Sequence, residues 1–250
     1  MQEILPQTLL ILAFVGLLAG FIDSIAGGGA LLTLPALLIA GLPPAQALGT
    51  NKLQSVFGSG SATMSYAAKG HIDFRELRLS FALSALGSAL GALLATAISA
   101  EFLKAFLPIL LILIALYFAL KPNLSDVPGH RRMGAFLFSV TLVPAIGFYD
   151  GILGPGTGSF FMLAYVALAG LGVLKATAHT KLLNFGSNIG ALIIFALSGV
   201  IFWKVGLAMG VGQFIGARIG AGFAMKNGAK LIKPLLVTVC IALSAKLLFT

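Results

Sequence analysis

The sequence predicts an all-α integral membrane protein built of two inverted-topology repeats of about five membrane segments each, and three observations carry that expectation. Of the 250 residues, 59% are hydrophobic and only 9% charged, with a mean hydropathy of +1.06, far outside the range of soluble domains. A motif near residue 20 returns in altered form beyond the middle of the chain, and the Lys and Arg residues between apolar runs reverse their distribution from one half to the other.

At about 20 apolar residues per crossing, the chain has room for about ten spans and none for a soluble domain. The opening MQEILPQTLLILAFVGLLAG lacks the basic n-region and small-residue cleavage site of a secretory signal, so residues 8–22 are expected to remain as the first helix. The single cysteine, Cys240, has no partner for a disulfide or a Cys-based metal site. The net charge of +9 is scattered between apolar runs rather than gathered into a stripe with interleaved aromatics. That pattern argues for membrane orientation and against a nucleic-acid partner.

In chain order the apolar segments are 8–22, 30–40, 50–68, 78–98 and 103–120, then 133–149, 158–171, 181–199, 203–222 and 231–249. They divide into repeats 1–125 and 126–250, which form one transmembrane domain. The second segment of each set is short: 30–40 makes only about 16 Å of helix, and spans the bilayer only if Ile25–Gly29 runs extended before it. Between segments three and four, HIDFRELR (71–78) reads as a solvated loop.

The internal match supports the division. GFIDSIAGGGALLTL (20–34) aligns with GFYDGILGPGTGSFF (147–161), setting Asp23 against Asp150 and glycines 27–29 against Gly154, Pro155 and Gly156. Asn51 and Lys52 then face Thr180 and Lys181; GSALGALLAT (87–96) matches GQFIGARIGA (212–221), and Pro108 pairs with Pro234. Loop charges set the relative orientation. The loop after segment three holds Lys69, Arg75 and Arg78, whereas the loop after segment four holds only Lys104. In the second half the order reverses, with Lys204 after segment eight and Lys226, Lys230 and Lys233 after segment nine. Five crossings per repeat account for the reversal and leave both termini outside, although Lys246 runs against the scheme.

Inverted repeats with glycine-interrupted helices at matching positions are how many secondary transporters build a midplane site. Unwound Gly27, Gly28 and Gly29, and Gly156, Thr157, Gly158 and Ser159 with Gly154 before them, would aim free N–H groups and positive helix ends at a bound anion. Lys52 and Lys181, expected just inside the following helices, each cost on the order of 3 kcal/mol in a bilayer unless compensated. Asp23 and Asp150 are the compensating candidates within the chain and are candidates for proton coupling; a bound anion is the other. Thr50, Asn51, Gln54, Ser55, His179, Thr180 and Asn184 complete the candidate binding set. Blander readings accompany each feature: glycines as helix-packing devices, an Asp23–Lys52 structural ion pair, and hydroxyls and amides as interhelical glue. His179 stands alone, so no metal is expected. No other cofactor is expected.

GFIDSIAGGGALLTLPALLIAGLPPAQALGTNKLQSVFGSGSA in the first half, with ATAHTKLLNFGSN in the second, resembles the TauE/SafE sulfite exporter family of bacterial membrane proteins over essentially the whole chain. The resemblance implies a duplicated helical fold in the cytoplasmic membrane that passes sulfite, sulfonates or other small organic anions. Thr180 in place of Asn51, and Pro155 in place of a glycine, depart from a symmetric site. The expected function is therefore a secondary transporter of small, sulfur-containing anions working by alternating access. An integral membrane enzyme acting on lipid phosphates is the alternative, disfavoured because no Ser–His or His–Glu arrangement offers a nucleophile with its base. A transition-metal permease would need His, Asp and Cys clusters that the sequence lacks.

The loop charges predict that residues 104 and 204 face outward and residues 75 and 230 inward. Single-cysteine labelling with a membrane-impermeant reagent checks this; residues 104 and 230 reacting from the same side would refute it.

Overall fold

The computed structural model describes residues 5–99, 101, 102, 109 and 129–227. The expected segments 103–120 and 231–249, the Pro108–Pro234 pairing, Cys240 and the loop lysines 104, 230, 233 and 246 lie outside the described residues. Eight helices dominate what is described, with no strand: α1 Pro6–Ala26, α2 Gly29–Ile39, α3 Pro44–Ala67, α4 Phe74–Ala97, α5 Ala135–Ile152, α6 Thr157–Ala167, α7 Val173–Leu197 and α8 Trp203–Asn227.

Five of these, α1, α4, α5, α7 and α8, are long and apolar enough to cross a membrane. The 24-residue α3 matches them in length but carries the polar run Thr50–Ser55 on a largely buried surface. Helices α2 and α6 have 11 residues each, about 16 Å, or half of the hydrocarbon core. Leu10, Phe14, Leu86, Leu90, Ile215 and Phe223 are among the large apolar side chains left exposed, as expected of lipid-facing positions.

Local chemistry sets several boundaries that differ from the sequence expectation. Proline at the first turn, Pro6 and Pro44, starts α1 and α3, because its missing N–H is not needed there. Helix α3 thus begins well before residue 50. HIDFRELR is not simply a loop: the Asp73 carboxylate accepts from the N–H groups of Arg75 at 2.8 Å and Glu76 at 3.4 Å and caps α4. The first break is also tighter than Ile25–Gly29, since α1 runs through Ala26 and only Gly27 and Gly28 are non-helical. Gly28 and Gly156, the residues preceding α2 and α6, are both left-handed, with φ of 92° and 79°, a conformation that favours glycine.

The two halves correspond element by element. Pro44 matches Val173 at the starts of α3 and α7, and Phe74 matches Trp203 at the starts of α4 and α8. Positive-φ glycines recur in step, Gly41 with Gly170 and Gly70 with Gly199. This register corrects the alignment of GSALGALLAT by one helical turn. A Cβ added to Gly87 would strike the Pro144 carbonyl, and one on Gly216 the Leu17 carbonyl. Since Pro144 and Leu17 are counterparts, Gly87 belongs with Gly216, not Gly212. Glycine every fourth residue makes each helix resemble itself after one turn, which is why the residue pattern misleads.

Helices α3 and α7 run antiparallel, Gly49 lying beside Phe195 and Gly60 beside Phe185. Helix α8 runs alongside α3 in the same direction, Gly206 against Leu53 and Gly210 against Phe57, and α4 does the same with α7. Counterpart helices therefore point in opposite directions, an arrangement compatible with the inverted topology. The principal helix pairs, α1 with α8 and α4 with α5, each join one half to the other. Two buried apolar clusters, one containing Tyr66, Phe161 and Tyr165 and the other Leu34, Leu37 and Phe195, accompany a separate polar centre.

The cross-half pairs depend on glycine. A Cβ on Gly216 would lie 1.9 Å from the Leu17 oxygen and one on Gly91 2.0 Å from that of Phe148, whereas one on Gly222 meets nothing within 4 Å. Gly216→Ala and Gly91→Ala should each lower the melting temperature of the purified protein, by the equivalent of about 1–3 kcal/mol or more for an overpacked interior. Gly222→Ala should leave it unchanged, and thermal unfolding in detergent measures all three.

Candidate functional site

The centre of the bundle is assembled from two helix breaks and the two polar helices that follow them. Lys52 on α3 and Lys181 on α7 are among the largest fully buried side chains. Each sits about two turns inside its helix, deeper than expected, because the helices start at Pro44 and Val173. Depth places the ammonium groups level with the breaks.

Each lysine pairs with the aspartate of the opposite half. Lys52 Nζ lies 2.8 Å from Asp150 Oδ1, and Lys181 Nζ lies 3.0 Å from Asp23 Oδ2. The within-half Asp23–Lys52 pair considered from the sequence is therefore replaced by a crossed arrangement. The physical reason is that the two breaks abut: a Cβ on Gly27 would lie 2.6 Å from the Ser159 nitrogen, and the Ser159 hydroxyl donates to the Ala26 carbonyl at 3.0 Å. The abutting breaks bring the Asp23 carboxylate to Lys181 of α7, while α3 holds the same end of α1 through the Tyr66 hydroxyl, which donates to the Ser24 carbonyl at 2.9 Å.

The two carboxylates are not equivalent. Asp23 Oδ1 accepts from the first amide of α2, that of Gly29, at 3.0 Å, while Lys181 also donates to the Asp23 carbonyl. The positive end of α2, expected to face a substrate anion, therefore already holds a carboxylate. Asp150 gives one oxygen to Lys52, and its Oδ2 is buried without a hydrogen-bond partner. Such an unsatisfied charged acceptor is costly in a protein interior.

A cavity of about 20 Å³ opens at this point, on the order of one or two water molecules. Asp23, Lys52 and Asp150 line it, with Gly28, Gly29, Gly156, Thr157 and Gly158 from the breaks and Asn51, Ser55 and Asn184 from the polar helices. Lys181 reaches it through Asp23. Other expected residues brace the site. Asn51 Oδ1 accepts from Thr33 Oγ1 at 2.6 Å and Gln54 Nε2 at 2.7 Å, and the Thr157 hydroxyl donates to the Gly154 carbonyl at 2.7 Å. Thr50 Oγ1 accepts from the Phe202 amide at 3.0 Å, tying α3 to the start of α8. Thr180 is buried, with no hydrogen-bond partner for its hydroxyl among the described residues. His179 lies apart, in the wall of a different cavity.

Two lining residues escaped the sequence reading: Asn188 and Gln213. Asn188 was within reach, since Lys181, Asn184 and Asn188 fall on one face of a helix, and its Nδ2 donates to the Asn184 carbonyl at 2.7 Å. Gln213 is a lone amide on a glycine-rich helix, packed on Gly58; only the fold brings it to the centre.

Comparison with known proteins agrees with this architecture. The family model described as "Sulfite exporter TauE/SafE" matches residues 12–247. The chain is 61% identical to "Probable membrane transporter protein ORF9" of Sinorhizobium sp over 99% of its own length and 95% of that protein. It is 49% identical to "Probable membrane transporter protein YfcA" of Escherichia coli strain K12, over 98% and 91%, and 26% identical to "Probable membrane transporter protein YunE" of Bacillus subtilis strain 168, over 97% and 98%. No solved structure matches. Because the family model covers residues 12–247, nearly the whole length, the chain belongs to the TauE/SafE sulfite exporter family.

Proposed function

We propose that this protein is a secondary transporter of small anions, namely sulfite, sulfonates or related sulfur-containing organic anions, working by alternating access in the bacterial cytoplasmic membrane. The transporter names of its relatives support the class. The observation that carries the reading is the crossed pairing, in which each buried ammonium of one half is neutralised by a single carboxylate of the other.

An oxyanion entering this centre competes with a carboxylate for the same ammonium. Adding a bare anion to two neutral pairs leaves net negative charge in low dielectric, which is strongly unfavourable. If Asp150 or Asp23 takes up a proton as the anion arrives, its lysine turns to the substrate and the centre stays neutral. Anion and proton then travel together. Because every pair bridges the halves, breaking it loosens the contact along which the halves must rock. The small cavity corresponds to the closed stage of that cycle, with ion pairs made and no room for substrate.

Lys52→Gln and Lys181→Gln should each raise at least tenfold the sulfite concentration that half-saturates proteoliposome flux, since glutamine keeps hydrogen bonding but loses the charge. Flux titration measures this, and near-native values in both variants would remove the basic site. Lys52→Gln should also reduce folded yield, because Asp150 is left buried and uncompensated at a cost of about 3–5 kcal/mol. Lys52→Gln/Asp150→Asn should restore yield without restoring flux. Full transport by that neutral pair would mean that the ion pair serves only the fold.

Proton coupling makes a separate prediction. Asp23→Asn, expressed at normal level, should lose the dependence of proteoliposome flux on an imposed pH gradient. Unchanged gradient dependence would exclude coupling through this carboxylate.

A further inference from the structure

A second cavity, of about 120 Å³, lies among α4, α5, α6 and α7, at the end of the bundle where α4 and α7 begin. Its walls set buried polar groups among apolar ones. His179 and Tyr165 are 3% and 4% exposed, and the Ser80 and Ser139 hydroxyls lie 2.7 Å apart. The Tyr165 ring meets His179 edge-on, centroids 5.4 Å apart at 87°, which fixes the imidazole plane. The Tyr165 hydroxyl is near Ser80 yet completes no hydrogen bond. Exposed Arg131 and Glu76 stand at the rim, and exposed Lys175 precedes His179 on α7. The Arg131 segment is fastened in place, the Arg132 and Met133 amides both donating to the Leu168 carbonyl at 2.9 Å.

Among the described residues, the main counterpart positions at the other end of the bundle are apolar. In the register that matches the helices, Tyr165 corresponds to Leu37, Ser139 to Leu12, Ser80 to Met209, Glu76 to Val205 and His179 to Thr50. Leu37, Leu12, Met209 and Val205 all belong to one buried apolar cluster. The same fold therefore packs this location with hydrocarbon on one side and lines a cavity with polar groups on the other. Buried polar groups cost stability when they lack partners, and the fold plainly accepts an apolar set here. A structural role does not explain the difference.

We propose that this cavity is a second anion-binding site, a chamber that holds a small oxyanion between the α3–α4 turn and the central ion pairs. The Tyr165 hydroxyl, the imidazole N–H and Arg131 supply donors. Arg131 and Glu76 balance at the rim, and Lys175, whose charge reaches His179, tips the nearby charge toward an anion over a cation. The chamber is several times larger than the central cavity and stays open while the ion pairs are closed. It would thus load substrate before the pairs part. Only the choice of sulfite as probe rests on the transport reading; the site itself does not.

The histidine ring reports on the chamber directly. In full-length protein with His71 and His130 replaced by glutamine, the remaining His179 can be labelled with nitrogen-15 and followed by NMR during a sulfite titration at constant pH. A saturable shift is expected, retained in Lys52→Gln, at least fivefold weaker in Tyr165→Phe and lost in Ser139→Leu, which installs the counterpart residue of the first half. Absence of a saturable shift, or an unchanged midpoint in Tyr165→Phe, overturns the proposal, and Tyr165→Phe decides alone if Ser139→Leu does not fold. A shift abolished by Lys52→Gln would be relayed from the centre and also overturns it. A retained shift alongside unimpaired flux in Lys52→Gln would refute the central reading while leaving the chamber standing.

Discussion

The two crossed ion pairs constrain the rest of the structure. A buried ammonium without a partner is strongly destabilising, and removing one member of a buried pair costs about 3–5 kcal/mol. Here each partner comes from the other half of the chain. Neither half can bury its lysine alone, so the polar helices α3 and α7 are satisfied only when the halves close on each other. The breaks follow from the same demand. Asp23 and Asp150 sit near the ends of α1 and α5, and a glycine turn immediately after each lets the chain reverse into a half-helix without pushing the carboxylate away from its lysine.

Between apolar helices in lipid, hydrophobic burial offers little net attraction, so close contact must come from small residues. Glycines on α8 meet backbone carbonyls of α1, and those on α4 meet α5, at separations that leave no room for a methyl group. These two seams carry the contacts that hold α3 and α7, with their charges, in the interior. Packing and electrostatics are thereby coupled: a seam that slipped by one turn would still match glycine to glycine, and the lysine–aspartate geometry selects the register.

The halves are alike in their backbone and unlike in their chemistry. Asp23 caps α2, whereas Asp150 leaves an oxygen unsatisfied. One end of the bundle packs Leu12, Leu37 and Met209 where the other sets Ser139, Tyr165 and Ser80 around a cavity. A symmetric frame would let equivalent elements exchange environments in the proposed rocking motion. Asymmetric side chains make the two ends of the bundle chemically different.

Much of this was legible in the residues alone. Composition established the membrane class, because no soluble domain tolerates so few charges. Duplication was visible because a glycine break and a following lysine are rare enough together to be recognised twice. The importance of Asp23, Asp150, Lys52 and Lys181 followed from the cost of charge in hydrocarbon, which holds wherever the partners lie. Partnership itself was not legible: an ion pair depends on which helix ends meet in space, and Asp23 is closer in sequence to Lys52 than to Lys181. The first turn of α4, residues 74–77, was masked by its charges, where Asp73 works as a cap. Gln213 and the chamber around His179 were hidden for a related reason, since a single polar residue in an apolar helix is ordinary until the fold sets it beside others. The types of residue thus determined the solvent, the repeat and the charged groups, which depend on local chemistry, whereas tertiary structure alone decided who neutralises whom and where a cavity forms, because both depend on contacts between distant segments.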